Sequence, residues 1–235
     1  MSKASPANIF YFSDVFCIWA YAAQIKLDEL RRQFGDRIRI RYRFLPLFGD
    51  VDGHIEDNWG ERGGAEGYAR NVKQVAARFD HLEIHPDIWT VNRPSSSASC
   101  HLFLKAIQLL QAGGEISAAH ETCFDGRSLF EEAVWRCRLG FFRDLQDVGA
   151  SSRQEAIADS IGLPVSGIRR QIDSGAAFAE LCADYAAKEK YLVEGSPTFL
   201  LQEGRQKLYG NVGYRLIEAN VEELLADRGE RASWC

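Results

Sequence analysis

Six cysteines are the residues with the most evident chemistry in this chain of 235 residues: Cys17, Cys100, Cys123, Cys137, Cys182 and Cys235. They form no CxxC pair and no compact spacing, which is not the pattern of a disulfide framework. Cys17 is placed differently from the rest. It follows the apolar run Ile9-Phe10-Tyr11-Phe12 and the turn residues Ser13-Asp14, and it precedes the helical pattern Ala20, Ala23, Leu27, Leu30, Phe34. A thiol at a helix N-terminus meets free amide hydrogens and the positive dipole end. The expectation is therefore a pKa below the ordinary value of about 8.5 and a nucleophile near neutrality. Cys100, Cys123, Cys137 and Cys182 fall in segments of helical periodicity and are expected to pack as small hydrophobes. Cys182 shares one predicted helical face with Phe178, Leu181 and Tyr185. Cys235, the last residue given, is expected to be exposed.

The strand ahead of Cys17 opens a βαβ unit. After the first helix Gly35-Asp36 turns the chain. Ile38, Ile40, Tyr42 and Phe44 then alternate with Arg39, Arg41 and Arg43, as in a half-buried strand parallel to the first. The three arginines suit a solvated face or edge protection better than an anion site. From about Pro46 the strand signals vanish until residue 190. Residues 50–67 read as a polar loop, and the glycines of WGERGGAEG fit neither GxGxxG nor GxxxxGK[ST]. Helical periodicity runs over 65–79, 96–111, 116–123, 129–145, 152–161, 164–174 and 176–189. Start signals stand at Ser95-Ser96-Ser97, at Ser152 three residues before Glu155, and at Pro164. Thr198–Leu201 and Lys207–Tyr209 then make a hairpin across Glu203-Gly204. A last helix with apolar face Ile217, Val221, Leu224 and Leu225 follows, with a cap near Asn211. The order βαβ, helices, ββα divides the chain into a discontinuous α/β domain, 1–48 and 190–235, and a helical insertion domain, 49–189.

Composition excludes several function classes. The chain is 46% hydrophobic with a net charge of -5 and no basic block, which argues against a nucleic-acid partner. No apolar stretch is long enough to span a membrane, and MSKASPA leads straight into the first strand, so neither a membrane partner nor a signal peptide is expected and the reading is cytoplasmic. No metal is expected either. His81 and His85 lie four apart, but Ile84 and Pro86 favour a loop there, and the neighbours Cys100 and His101 face apart on a helix.

A βαβ half joined to a ββα half, with a cysteine after the first strand and a proline opening the third, resembles the thioredoxin fold. With the long helical insertion it resembles the DsbA-like family. The residues carrying the resemblance are Phe12-Ser13-Asp14-Val15-Phe16-Cys17-Ile18-Trp19-Ala20-Tyr21, Gly195-Ser196-Pro197-Thr198-Phe199 and Leu208-Tyr209-Gly210-Asn211. Members of that family typically carry Cys-Pro-X-Cys and a facing cis-proline. The resemblance implies that Cys17 is the nucleophile, that Ser196-Pro197 is cis, and that the Ser196 backbone docks a peptide or glutathione across the sulfur. Trp19 would flank the sulfur as apolar surface.

Two departures redirect the chemistry. Ala20 stands in place of the second cysteine and Ile18 in place of the proline, so a disulfide between positions 17 and 20 cannot form. What remains is monothiol exchange through a mixed disulfide resolved by an outside thiol, above all glutathione. The kappa-class glutathione transferases and the 2-hydroxychromene-2-carboxylate isomerases share this architecture and also lack a resolving cysteine, but generally carry serine at the position of Cys17. By their likeness, Asn211 and the amides near Gly210 would hold the γ-glutamyl end of glutathione. The Asn92-Arg93-Pro94-Ser95 turn would help line the pocket. The resemblance thus implies a DsbA-like thiol-disulfide oxidoreductase with no tightly bound cofactor and with glutathione as possible cosubstrate. A glutathione-dependent isomerase or transferase and a non-catalytic peptide-binding module are the alternatives, and a homodimer is open because related folds often dimerise.

Overall fold

The computed structural model describes residues 6–227; Cys235 lies outside them. Four strands form one mixed sheet: β1 (Ala7–Ser13), β2 (Ile38–Phe44), β3 (Thr198–Leu201) and β4 (Gln206–Tyr209), in the order β2-β1-β3-β4. β1 is parallel to β2, with Tyr11 opposite Tyr42 and Ser13 opposite Phe44. It is antiparallel to β3, with Phe12 opposite Thr198. The alternation in β1 and β2 sends Ile9, Tyr11, Ile38 and Tyr42 into the main core, beside Leu27, Leu30 and Phe34 of the helix after Cys17 and Ile217 and Val221 of the last helix. The other face carries a small cluster of Phe12, Leu45, Val193 and Leu200, partly covered by Phe10, Ala187 and Tyr191.

The helix after Cys17 is two helices, α1 (Ile18–Ala22) and α2 (Gln24–Phe34), divided at Ala23. Between β2 and β3 come α3 (Val51–Trp59), α4 (Gly64–Ala76), α5 (Ala98–Ala112), α6 (Leu129–Phe142), α7 (Ser151–Ser160), α8 (Val165–Asp173) and α9 (Ala176–Lys190); α10 (Tyr214–Asp227) closes the fold.

Several sequence expectations are corrected here. Residues 50–67 are mostly helical, because the Asp50 side chain caps α3 by accepting from the Gly53 N–H at 3.0 Å. Gly67 in α4 presses against the preceding turn: a Cβ there would lie 2.1 Å from the Arg62 carbonyl oxygen. Gly67 therefore permits close packing, whereas Gly63 and Gly64 take the positive φ of 92° and 56° that the turn between the two helices requires. Residues 116–123 hold no α-helix; Glu121 pairs with Arg127 around a short 3-10 turn that exposes Cys123. Cys182 is also exposed, since α9 buries the stripe Ala177, Leu181 and Asp184 and leaves Phe178 58% exposed. Helical spacing placed Cys182 one position off that stripe. Ser152 caps nothing, as α7 starts at Ser151.

Candidate active site

The stretch 13–17 is fixed from several sides. Asp14, fully buried, accepts from the Phe16 N–H at 2.9 Å, from the Phe48 N–H at 3.0 Å and from the Ser97 hydroxyl at 2.7 Å. One carboxylate thereby ties the turn before Cys17 to the segment after β2 and to the start of α5. His101, one turn into α5 and fully buried, accepts from the Val15 N–H through Nε2 at 3.3 Å and stacks on Phe44 with ring centroids 4.8 Å apart. Burial pushes its imidazole pKa down, so the ring is neutral and carries its proton on Nδ1, which has no partner among the described residues. Phe16 anchors the turn in apolar surroundings, stacked on Phe141 at 4.3 Å and edge-on to Trp89 at 6.1 Å. The insertion thus supplies both the polar and the apolar grip on the loop that presents Cys17.

Cys17 is the N-cap of α1, and its own side chain caps nothing. Its sulfur donates to the Ser196 carbonyl at 3.3 Å, and the Asp14 N–H donates to the Ser196 hydroxyl at 3.0 Å. The Ser196–Pro197 peptide bond is cis. The Gly210 N–H donates to the Pro197 carbonyl at 2.9 Å, which closes the proline loop onto the end of β4. The two motifs that lie far apart in sequence therefore meet at one sulfur. That sulfur belongs to a residue only 4% exposed.

The pKa expectation is reversed. Burial pushes the Cys17 thiol up, with a further push from the Asp14 carboxylate. The Ser196 hydroxyl and the amides of Ala20 and Trp19 pull the other way without cancelling it. The thiol that donates to Ser196 is therefore the resting form.

The remaining sequence candidates fall as follows. Trp19 is half-buried and packs edge-on to Phe79 at 6.3 Å, with the Arg78 guanidinium 5.7 Å from its ring. Ala20 is fully buried behind the sulfur's own helix turn. Asn211 does not cap α10; its Oδ1 accepts from the Lys26 ammonium at 2.6 Å, and the same ammonium donates to the Val212 carbonyl at 2.6 Å. Arg93 of the Asn92–Ser95 turn pairs with Asp52 at 3.1 Å on the surface, while the Ser95 carbonyl accepts from the Val51 N–H. Cys100 and Cys137 are fully buried in α5 and α6 and touch each other side chain to side chain, and this contact with burial pushes the Cys100 thiol up.

Four participants escaped the sequence reading: Asp14 as a ligand of the loop, Ser97, His101 and Arg138. Arg138 is fully buried on α6 and donates to Gln24 Oε1 at 2.7 Å and to the Ser13 hydroxyl at 3.3 Å. The signal for one of them was present. His101 and Lys105 are polar residues four apart on one face of a mostly apolar helix, and a polar side chain on such a face must find a buried partner.

Comparison with known proteins agrees with this architecture. The family model for the DSBA-like thioredoxin domain matches residues 8–222. No curated protein matches in sequence. Among solved structures, one described as a probable DsbA oxidoreductase from Streptomyces coelicolor superposes with a TM-score of 0.67 at 20% identity, covering 97% of this chain and 93% of that one. The cytosolic disulfide reductase DsbM from Pseudomonas aeruginosa gives 0.62 at 14% identity, over 92% of this chain and 99% of that one, and is also known with GSH. A 2-hydroxychromene-2-carboxylate isomerase gives 0.61 at 14% identity, over 96% of this chain and all of that one. With a parallel β1–β2 pair, a β3–β4 hairpin opened by a cis-proline, seven helices between them and a cysteine at the first helix start, the chain belongs to the DsbA-like thioredoxin domain family.

Proposed function

We propose that this protein is a thiol-disulfide oxidoreductase working with Cys17 alone and with glutathione as the resolving thiol. DsbA-like thioredoxin domains are generally thiol-disulfide oxidoreductases. The observation that carries the reading is the sulfur of Cys17 held 3.3 Å from the Ser196 carbonyl beside the cis-proline, with buried Ala20 where a resolving cysteine would stand. The Cys17 thiolate attacks a mixed disulfide R–S–S–G, the bond to R breaks, and R leaves as a thiolate that takes up a proton. A second glutathione thiolate then attacks the glutathionyl sulfur on Cys17, giving oxidised glutathione and regenerating Cys17. The net reaction consumes R–S–S–G and reduced glutathione and yields R–SH and oxidised glutathione.

Cys17 attacks as a thiolate in the first step and leaves as a thiolate in the second, so its raised pKa at rest slows both steps, and the cycle calls for a thiolate stabilised once the substrate has docked. Lys26 brings a cation to the Gly210–Val212 turn, where a glutathione carboxylate can bind it in exchange for Asn211. A reducing compartment such as the cytoplasm suits such chemistry, and no helix among the described residues is long and apolar enough to cross a membrane. The decisive experiment is intact mass and peptide mapping after exposure to oxidised glutathione. A single adduct on Cys17, faster as pH rises and removed by reduced glutathione, is the expected result; adducts only on the exposed Cys123 and Cys182 would overturn the reading.

One observation favours a second reading. A neutral thiol donating a hydrogen bond does what a serine hydroxyl does, and that is the form in which Cys17 rests. A glutathione-dependent isomerase or transferase would then keep its activity in Cys17→Ser, whereas thiol-disulfide exchange is abolished by that substitution.

A further inference from the structure

β2 is an edge strand, and its free edge is unevenly covered. The Leu45 N–H donates to the Ser13 carbonyl, so odd-numbered residues of β2 turn their amides and carbonyls toward β1 and even-numbered ones turn them outward. At one end the outward groups are occupied: the Phe44 N–H by Asp184 at 2.9 Å and the Tyr42 carbonyl by Gln108 at 3.2 Å. At the other end the Ile38 N–H donates to the Gly35 carbonyl. Between them the Ile38 carbonyl, both groups of Ile40 and the Tyr42 N–H have no partner among the described residues. A groove of about 1600 Å³ runs along this stretch.

The two faces of the groove differ in chemistry. On one, Arg39 and Arg41 are exposed; Arg39 has no partner among the described residues, and Arg41 has only Asn8 Oδ1 at 2.9 Å. On the other, Ile38, Ile40 and Tyr42 lie beside apolar wall residues that include Leu109, Phe130 and Leu224. Six arginines and lysines line the groove against three aspartates and glutamates, on a chain whose net charge is -5.

We propose that the open stretch of β2 docks an extended peptide segment of a partner protein as a fifth strand, one whose acidic side chains alternate with apolar ones. The four open backbone groups supply two rungs of a ladder. Side chains of the added strand on the arginine face meet Arg39 and Arg41, and those on the opposite face meet the apolar wall. A second copy of this chain is disfavoured as occupant, because pairing β2 with itself would set arginines against arginines. The site lies beside the Ala7–Tyr11 half of β1, at the opposite end of the strands from Cys17, and is independent of the thiol chemistry.

The test is selection of random cysteine-free peptides displayed on phage against the wild-type protein, with a counter-screen on an R39E/R41E variant. Both arginines are exposed, and an unchanged urea midpoint confirms that the variant folds. Selected peptides are expected to carry Asp or Glu at alternate positions and to bind the double variant about tenfold more weakly or worse. They are also expected to protect the Ile40 and Tyr42 amides from hydrogen exchange. The proposal is overturned if no peptide is enriched, if the peptides bind both proteins equally, or if those two amides stay unprotected. It is also overturned if sedimentation shows a wild-type dimer that the double variant loses, for then a second copy occupies the edge.

Discussion

Asp14 offers the sharpest test of how the loop around Cys17 is held. Its carboxylate accepts from two backbone amides, Phe16 and Phe48, and from the Ser97 hydroxyl, all buried. Ser97 can rotate to another acceptor, but the two amides cannot. Leaving a buried donor unsatisfied costs about 1–3 kcal/mol, so Asp14→Ala should lose about 4 kcal/mol and Asp14→Asn, which keeps one oxygen, roughly half of that. At this chain length each kcal/mol moves Tm by about 2–4 °C, so the alanine variant should melt on the order of 10 °C lower. Reactivity should move the opposite way. The Asp14 carboxylate is one of the influences that raise the Cys17 pKa, so its removal shifts the pH profile of Cys17 alkylation to lower pH. Below the thiol pKa the rate changes about tenfold per pH unit, which makes such a shift easy to read. Ser97→Ala is the control, since it loosens the same loop and retains the charge; its profile should keep the wild-type midpoint. The reasoning is refuted if Asp14→Asn is as stable as wild type, or if its alkylation profile moves to higher pH or does not move.

Three further outcomes are expected. Ala20→Cys should restore an intramolecular pair, so that oxidised glutathione leaves a disulfide between positions 17 and 20 and no lasting adduct, in contrast to the adduct on wild type; mass spectrometry under native conditions distinguishes the two. Lys26→Met should raise KM for glutathione with little change in kcat, as read by steady-state kinetics; a fall confined to kcat would remove Lys26 from glutathione binding. Lys105→Met should cost about 3 kcal/mol in urea unfolding. Its ammonium lies 2.7 Å from the fully buried Asp184, which keeps only Arg43 and the Phe44 N–H as partners. An unchanged urea midpoint would show that those two partners suffice.

Much of the fold was legible because its signals are local. Alternation in 38–44 and the apolar run of 9–12 specify strands, and the face Ile217, Val221, Leu224 specifies the last helix. The helices failed where local signals compete. The polar glycine-bearing stretch 50–67 reads as loop until an aspartate cap and a close turn contact are known, and 116–123 has helical spacing without the tertiary partners that would make it a helix. At the site, Cys17, Ser196 and Pro197 stand out by type and position. Asp14 and Ser97 do not, because each matters through a buried contact with an element distant in sequence, and His101 shows only as a polar residue on an apolar helix face, without its partner Val15. Lys26 at the Asn211 turn is a contact of the same kind, across residues nothing in the sequence links.

The reversed pKa of Cys17 follows from weighing two effects that the sequence shows unequally. A helix N-terminus typically stabilises an anion by about 0.3–1 kcal/mol, and reaches about 2 kcal/mol only in favourable partly buried geometry. α1 has five residues before the chain breaks at Ala23, so few peptide dipoles add along its axis. Against this stands a sulfur belonging to a residue 4% exposed, beside a turn that packs Phe16 against Phe141 and Trp89, with a carboxylate in the same turn. Desolvating an anion in such a place costs several kcal/mol in real proteins, which a short dipole and two amides do not offset. The sequence announces the helix start and is silent about the roof, because the roof comes from the insertion. A substrate that displaces the Ser196 carbonyl as the partner of the sulfur removes the acceptor that only a thiol can use and leaves the Ala20 and Trp19 amides to stabilise the thiolate. Activation of Cys17 is thus expected on binding rather than at rest. Its alkylation by a small neutral reagent should therefore be slow in the free protein, and a non-reactive glutathione analogue that fills the Ser196 side of the groove without blocking the sulfur should accelerate it. If the analogue slows alkylation at every pH, the thiol is not activated by docking and the monothiol cycle loses its first step.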